Sequence, residues 1–247
     1  MTALWQYLLA HCSSFTLFAI LPTFLVNAVY LLGSLACHSL DYFPSLRPYR
    51  LQQHAATPEQ IRRCIKHLLL IKLGIEIPMT MAAYPLLRAV GVSAALPLPS
   101  ASVIVAQVAL FFVIEDAWHY FAHRVLHVKW VYKNVHHIHH RYTAPFGMMA
   151  NYVHPAETLW TGFGSFLPIL LFGPHLLTVC IWIMLRQLQA VVIHVGYRFP
   201  WAPSSLLPFI GGAPFHDLHH KKNNYNYAPF FTWFDRLFGT TWPPRAR

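Results

Sequence analysis

Seven of the chain's 17 histidines fall between His119 and His140, in the strings H-Y-F-A-H-R-V-L-H and H-H-I-H-H, and a third group, H-D-L-H-H, follows from His216 to His220. On helices, His119, His123 and His127 lie at i, i+4 and i+8. His136, His139 and His140 lie at i, i+3 and i+4, a pattern that His216, His219 and His220 repeat. Each group is thus expected to aim several imidazoles from one face. Imidazole is the commonest neutral nitrogen ligand for iron, copper and zinc, so three converging faces suit two metal ions held by roughly six to nine nitrogens. A lone histidine is usually a surface or satisfied core residue, but three groups at ligand spacing argue for a metal centre.

Two further histidines can join them. His194, in V-V-I-H-V-G-Y, ends an apolar helix where it can reach the other groups; His154, ahead of Pro155, suits a ligand, a residue that supports a ligand, or a loop anchor. His137 falls off the face of its helix, and His11, His38, His54, His67 and His175 belong to no cluster. The eight carboxylates form no Glu-x-x-His pair, so the centre must be held mainly by histidine. Glu115 and Asp116 end an apolar run, where unpaired charge is costly; they are expected either to orient a ligand histidine by hydrogen bonding or to pair with Arg124. Asp217 points away from its histidine face and is expected to support a ligand or form a salt bridge.

The elements that must position these groups are apolar. Hydrophobic residues make up 56% of the chain and charged residues 11%, against roughly 45–50% and 25% in soluble domains. The composition is that of an all-α integral membrane protein. Its 247 residues suit one membrane-embedded domain, 1–247, with spans at about 14–36, 67–90, 99–118 and a 159–193 hairpin whose first arm is short for a full crossing. Turns are expected at Gly91 to Ser100 and at Phe172 to His175. The segments 119–154 and 194–240 then form a histidine-rich helical cap. Arg47, Arg50, Arg62, Arg63 and Lys66 precede the first hairpin, Arg124, Lys129, Lys133 and Arg141 accompany the histidines, and Lys221, Lys222, Arg236, Arg245 and Arg247 close the chain. By the positive-inside rule these segments, and so the cap, are cytosolic. The net charge of +10 points to lipid headgroups or an acidic partner, since no nucleic-acid motif is present. Cys12, Cys37, Cys64 and Cys180 are scattered through apolar stretches and read as buried thiols.

In order, E-D-A-W-H-Y-F-A-H-R-V-L-H, H-H-I-H-H-R-Y-T-A-P-F-G, H-P-A-E, H-V-G-Y-R-F-P-W, H-D-L-H-H and F-T-W-F-D-R-L-F-G-T resemble the fatty acid hydroxylase and sterol desaturase superfamily, and within it the C-4 methylsterol monooxygenases, from about Leu46 to Thr240. The resemblance implies an endoplasmic reticulum enzyme with two iron ions, oxidising the C-4 methyl group of a sterol precursor with O2 and electrons from cytochrome b5. It implies as metal ligands His123 and His127, then His136, His139 and His140, then His194, and finally His216, His219 and His220; His119 ranks below these nine. The family's H-S-G-Y reads H-V-G-Y here, Pro214 and Phe215 stand where a charged pair precedes the last box, and the tail N-N-Y-N-Y-A-P-F-F is similar to those of sterol C-5 desaturases and cholesterol 25-hydroxylases. Sibling reactions, sterol desaturation or sterol and fatty-acid hydroxylation, therefore stay open.

A high-valent oxidant must be shielded from water, so the centre is expected at the mouth of an apolar pocket, with Trp118, Tyr120, Trp130, Tyr142, Phe146 and Trp160 as candidate lining. No Gly-rich dinucleotide fingerprint or haem motif occurs, so electrons must arrive from a carrier such as cytochrome b5 and its reductase. From other classes, a histidine-rich metal transporter would want ionisable ligands in mid-membrane, and a membrane cytochrome single axial histidines on separate spans.

Overall fold

The computed structural model describes residues 2–52 and 55–243; His54, Arg245 and Arg247 lie outside the described residues. Among the described residues ten helices follow one another: α1 (Thr2–His11), α2 (Thr16–Tyr42), α3 (Pro58–Ala89), α4 (Ala101–Leu126), α5 (Lys129–Asn134), α6 (Pro155–Phe172), α7 (Leu176–Ile193), α8 (Pro203–Leu206), α9 (Gly212–Lys222) and α10 (Trp233–Leu237). Short 3-10 turns at His136–Arg141 and Gly147–Asn151 join α5 to α6. Among the described residues there is no strand, only isolated bridges such as Arg50 with Tyr197.

Four helices, α2, α3, α4 and α7, are long and apolar enough to cross a membrane. Their outward faces carry Leu31, Leu32, Leu35, Leu69, Leu70, Leu73 and Val105, all exposed; rows of exposed leucine on otherwise packed helices are a lipid-facing surface. α3 starts earlier than the apolar run predicts. Thr57 accepts from the Gln60 amide while the Gln60 side chain accepts from the Thr57 amide, a capping box that fixes the first turn at Pro58. Arg62, Arg63 and Lys66 therefore belong to the helix rather than preceding it.

α4 runs eight residues beyond the expected end at 118, since nothing after Trp118 breaks it, and so carries His119 and His123 on the same rod as its apolar half. α6 is 18 residues long and is not among the four spanning candidates. It packs tightly on α4 at Gly164, where a Cβ would meet the Trp118 indole at 2.4 Å. The α6–α7 turn closes at Gly173, in the left-handed region (φ 49°), which terminates α6 where sequence reasoning put the break.

Among the described residues three packed clusters hold the bundle, a small one around Tyr120, Tyr227 and Ala228 and two larger ones. One, around Phe111, Ile169, Leu176 and Trp182, binds α4, α6 and α7 away from the histidines. The other, around Tyr30, Cys64, Leu68, Met149, Tyr152 and Val191, lies under the histidine-rich turns. All four cysteines are free, Cys64 and Cys180 buried and Cys12 and Cys37 half-buried.

Candidate metal centre

Nine histidines converge in two adjoining groups. His123, His127, His136, His140 and His219 each offer a ring nitrogen within 4.8 Å of the others, and His139, His194, His216 and His220 do the same. The rings of His140 and His220, one from each group, are 4.6 Å apart between centroids. Eight of the nine are buried, His127 being half-buried.

Each H-x-x-H-H string divides between the groups, which corrects the expectation that a string presents one face. His136 and His140 enter the five-histidine group and His139 the other. In α9 the assignment reverses, with His216 and His220 in the four-histidine group and His219 in the five. Residues four apart stay together while the third, rotated round the helix, reaches across.

Backbone carbonyls fix the tautomers. His123 donates Nδ1–H to the Tyr227 carbonyl at 2.7 Å, His219 to Tyr225 at 2.7 Å and His194 to Ala190 at 2.7 Å. A carbonyl only accepts, so in the neutral rings these Nδ1 atoms carry the proton and Nε2 is a bare lone pair. Nε2 of His123 nonetheless lies 3.1 Å from Nε2 of His136, whose own Nδ1 faces Glu157 Oε1 at 2.9 Å. Nε2 of His194 lies 2.8 Å from that of His216 and 3.3 Å from that of His139. In the His123–His136 pair two such lone pairs face each other, and an electrophile shared between them removes their repulsion; in the other group the Nδ1 atoms of His139, His216 and His220 are buried without a partner while Nε2 points inward, so the residues fit a metal ion in each group.

Burial supports the same state. It pushes His127 and His140 down to about 3 and His194 to about 4, and holds His136, His139, His216, His219 and His220 well below the ordinary value. The imidazoles are therefore in the neutral form that metals bind, because ionising any of them here means placing charge out of water. The donor set is all nitrogen, suited to iron, copper or zinc.

Glu115 and Asp116 behave otherwise than expected, whereas Asp217 forms a salt bridge as expected. Asp116 touches no histidine of either group: it accepts from the Phe230 and Phe231 amides, both at 3.0 Å, and from the Trp233 indole at 3.2 Å. Glu115 pairs with Arg186 at 2.8 Å rather than with Arg124, and lies 3.3 Å from His119, which belongs to neither group. Arg124 instead sits over the Tyr120 and Phe238 rings. Asp217 pairs with Lys221 at 3.0 Å and accepts from Gln52 at 2.5 Å. His154 caps α6, accepting from the Ala156 amide at 3.1 Å, and is in neither group.

Two carboxylates with a direct bearing on the site escaped sequence reasoning. Glu157, buried at 3% exposure, is the one that reaches His136; its sequence signal was H-P-A-E, three residues after His154. Burial pushes its carboxyl well above the usual range, so the ionised form depends on the His136 N–H beside it. Asp235 accepts from the Tyr227 and Ala228 amides at 2.9 and 2.8 Å. With Asp116 it clamps the tail strand of loop that offers the Tyr225 and Tyr227 carbonyls to His219 and His123.

A cavity of about 240 Å³ opens from the histidines, with His123, His136, His139, His194 and His216 at one end. Its far walls are apolar, including Phe18, Met79, Phe166 and Ile183. None of the six aromatics expected there lines it. Trp118 and Trp160 instead meet at a tilt, Tyr120 packs on Phe234 and Phe238, Tyr142 lies against Phe146 and Tyr152, and Trp130 is exposed.

Residues 108–240 match the sequence profile described as Fatty acid hydroxylase. The chain is 43% identical over 239 residues to methylsterol monooxygenase 2-2 of Arabidopsis thaliana, covering 96% of this chain and 90% of the relative. It is 41% identical over 239 residues to very-long-chain aldehyde decarbonylase GL1-8 of Oryza sativa subsp. indica, covering 96% and 89%. It is 45% identical over 188 residues to methylsterol monooxygenase erg25B of Aspergillus fumigatus, covering 74% and 64%. No solved structure matches the chain.

Proposed function

We propose that this chain, which belongs to the fatty acid hydroxylase family, oxidises the C-4 methyl group of a sterol precursor at a two-iron centre held by nine histidines. The family makes it an oxygen-dependent oxidoreductase, and the transporter and cytochrome alternatives fall away. The reading is carried by one juxtaposition: five- and four-histidine groups share a wall with an apolar cavity, in a chain 43% identical to a methylsterol monooxygenase.

His123, His127, His136, His140 and His219 would hold one ion and His139, His194, His216 and His220 the other. When bound, the two ions supply the activation of O2 needed to attack an unactivated C–H bond. The chain's own residues do the rest. Tyr225, Tyr227, Ala190 and Glu157 keep the Nε2 lone pairs of four ligands turned inward, and a ligand ring fixed in this way needs no reorganisation on metal binding. The cavity's apolar walls admit a lipid and exclude bulk water from the reacting end.

The setting fits an endoplasmic reticulum enzyme whose histidine-rich side faces the cytosol, with lipid as both solvent and source of substrate. Electrons would come from cytochrome b5 and its reductase, docking on the basic residues beside the centre. Purified protein in vesicles, given O2, NADH, the reductase and the carrier, should oxidise a 4,4-dimethylsterol at C-4, and a cell lacking the protein should accumulate 4,4-dimethylsterols.

A second reading follows from the rice relative, whose printed name concerns very-long-chain aldehydes and which is 41% identical over nearly the whole chain. The same reconstituted system separates the two. Loss of a long-chain aldehyde with the sterol untouched would replace the first reading with the second. A missing ring double bond in the sterol profile, with 4-methyl groups removed normally, would favour the sibling desaturase.

A further inference from the structure

Two charged side chains in the cavity wall are not used by the proposed chemistry, Glu76, which is paired with Lys72, and Arg186. Arg186 lies in the apolar helix α7, two turns from His194, and its guanidinium is anchored on two sides: one terminal nitrogen forms an ion pair with Glu115 at 2.8 Å and lies 3.3 Å from His119 Nδ1, and the other donates to Gln189 at 2.7 Å. Gln189 in turn donates to the Pro229 carbonyl at 2.6 Å. The third nitrogen, Nε, is buried and donates to nothing in the protein. Arg186 lines the cavity beside Gln187 and His119, and His119 stands one helical turn from His123 of the five-histidine group.

A buried N–H without an acceptor is destabilising, and a charged residue within an apolar helix usually marks a site of function. Glu115 balances the charge of Arg186, so an incoming anion is not required; what Nε lacks is an acceptor. The methyl group at C-4 of a sterol neighbours the carbon that bears the sterol hydroxyl. An acceptor next to His119 therefore places the adjacent methyl group toward His123 and the two metal groups.

We propose that Arg186 is a specificity-determining residue that donates its Nε–H to the sterol 3-oxygen and so selects which carbon faces the metal centre. Glu115, His119 and Gln189 engage the two terminal nitrogens, and Nε is the guanidinium nitrogen left with no partner in the protein. Gln187 is itself held away: it donates to Asn151 at 3.0 Å, which donates to Glu76 at 2.9 Å, and Glu76 is paired with Lys72. The assignment rests on the sterol reading above.

The test compares dissociation constants of three 4,4-dimethylsterols, carrying a 3-hydroxyl, a 3-ketone or no 3-oxygen, for the metal-loaded wild-type protein and for Arg186→Lys, with metal content measured in both. A ketone accepts but cannot donate. The hydroxyl and the ketone should bind within a few-fold of each other and about 10- to 100-fold more tightly than the 3-deoxy sterol, as expected for a hydrogen bond from a charged donor. Lysine keeps a charge for Glu115 but has no N–H at that place, so the preference should shrink to about threefold or less with metal content unchanged. A merely structural Arg186 would weaken all three ligands alike.

If the ketone binds as weakly as the deoxy sterol, an acceptor on the protein reads the hydroxyl and the assignment is overturned, a result that needs no variant. Persistence of the full preference in Arg186→Lys overturns it as well. Wild-type protein that binds all three equally rejects this assignment alone; wild-type protein that binds none of them rejects the sterol reading and the assignment together.

Discussion

Glu157 Oε1 and His136 Nδ1 lie 2.9 Å apart, both side chains almost wholly withdrawn from solvent. The contact turns Nε2 of His136 toward His123 and His140, and it is the one carboxylate contact made by any of the nine clustered histidines among the described residues. Histidine ligands add no negative charge, so this carboxylate raises the basicity of its ring where little else can.

Glu157→Gln keeps an acceptor at that place and removes the charge, while Glu157→Ala removes both. Metal affinity should fall about 10-fold or more in the glutamine variant and further in the alanine variant, within the 10- to 100-fold range typical of such supporting contacts. Competition against a chelator, read by metal analysis, checks this. Unchanged affinity in both variants would show that Glu157 has no hold on the site.

His139 and His154 offer a paired test of the ligand assignment. His139→Ala removes one of four ligands from the smaller group, and metal content should drop from about two ions to about one per chain, with turnover lost. His154→Ala should leave metal content whole and cost about 1 kcal/mol of stability, the usual value of a helix N-cap. His154→Ser should recover most of that loss. Loss of metal in His154→Ala would return this residue to the ligand set.

How far the site was legible depends on the distance between cause and residue. The spacing of His123 and His127 and of the two H-x-x-H-H strings is a local property of the chain, and it pointed to eight of the nine clustered histidines; His194 stands alone in sequence, and the family resemblance supplied it. Spacing gives the angle between side chains but not which partner each meets, so the exchange of His139 and His219 between groups was hidden. Asp116 misled because its neighbours in sequence are His119 and Arg124, whereas its contacts are 114 to 117 residues away in the tail. The apolar runs located the four long helices well, but missed the starts and ends that caps decide, as at Thr57. Aromatic residues near histidines in sequence turned out to brace helices, since the walls of the cavity come from α2, α3 and α7 as much as from the histidine-rich segments.

Asp116 and Asp235 lie outside the metal groups, yet both act on the segment that carries the Tyr225 and Tyr227 carbonyls. Asp116→Ala strands two amides and an indole N–H, and the change should cost about 2–4 kcal/mol. Asp235→Ala, which strands the Tyr227 and Ala228 amides, should cost a similar amount and in addition weaken metal binding, because Tyr227 holds His123 directly. Thermal unfolding together with metal content at a temperature where each variant is folded separates the two effects. Equal metal loss in both variants would mean that the tail moves as one piece.

Electron supply gives the last test. α5 carries Lys129 and Lys133 immediately after His127, whereas Lys221 and Lys222 end α9 just past His220. A basic rim beside a buried centre suits an acidic carrier, and such an encounter weakens as salt screens it. The four lysines are not equivalent, however. Lys221 is tied to Asp217 at 3.0 Å and Lys222 lies 4.6 Å over the Trp242 ring, so reversing either disturbs α9 as well as the rim. Lys129→Glu with Lys133→Glu is the cleaner change. It should raise the carrier concentration for half-maximal rate by about 10-fold at low ionic strength, with the rate at saturating carrier and the metal content preserved. The difference from wild type should shrink toward about twofold at high salt, where screening leaves little steering to lose. A rate that ignores both salt and the double reversal would place the carrier's docking surface elsewhere on the protein.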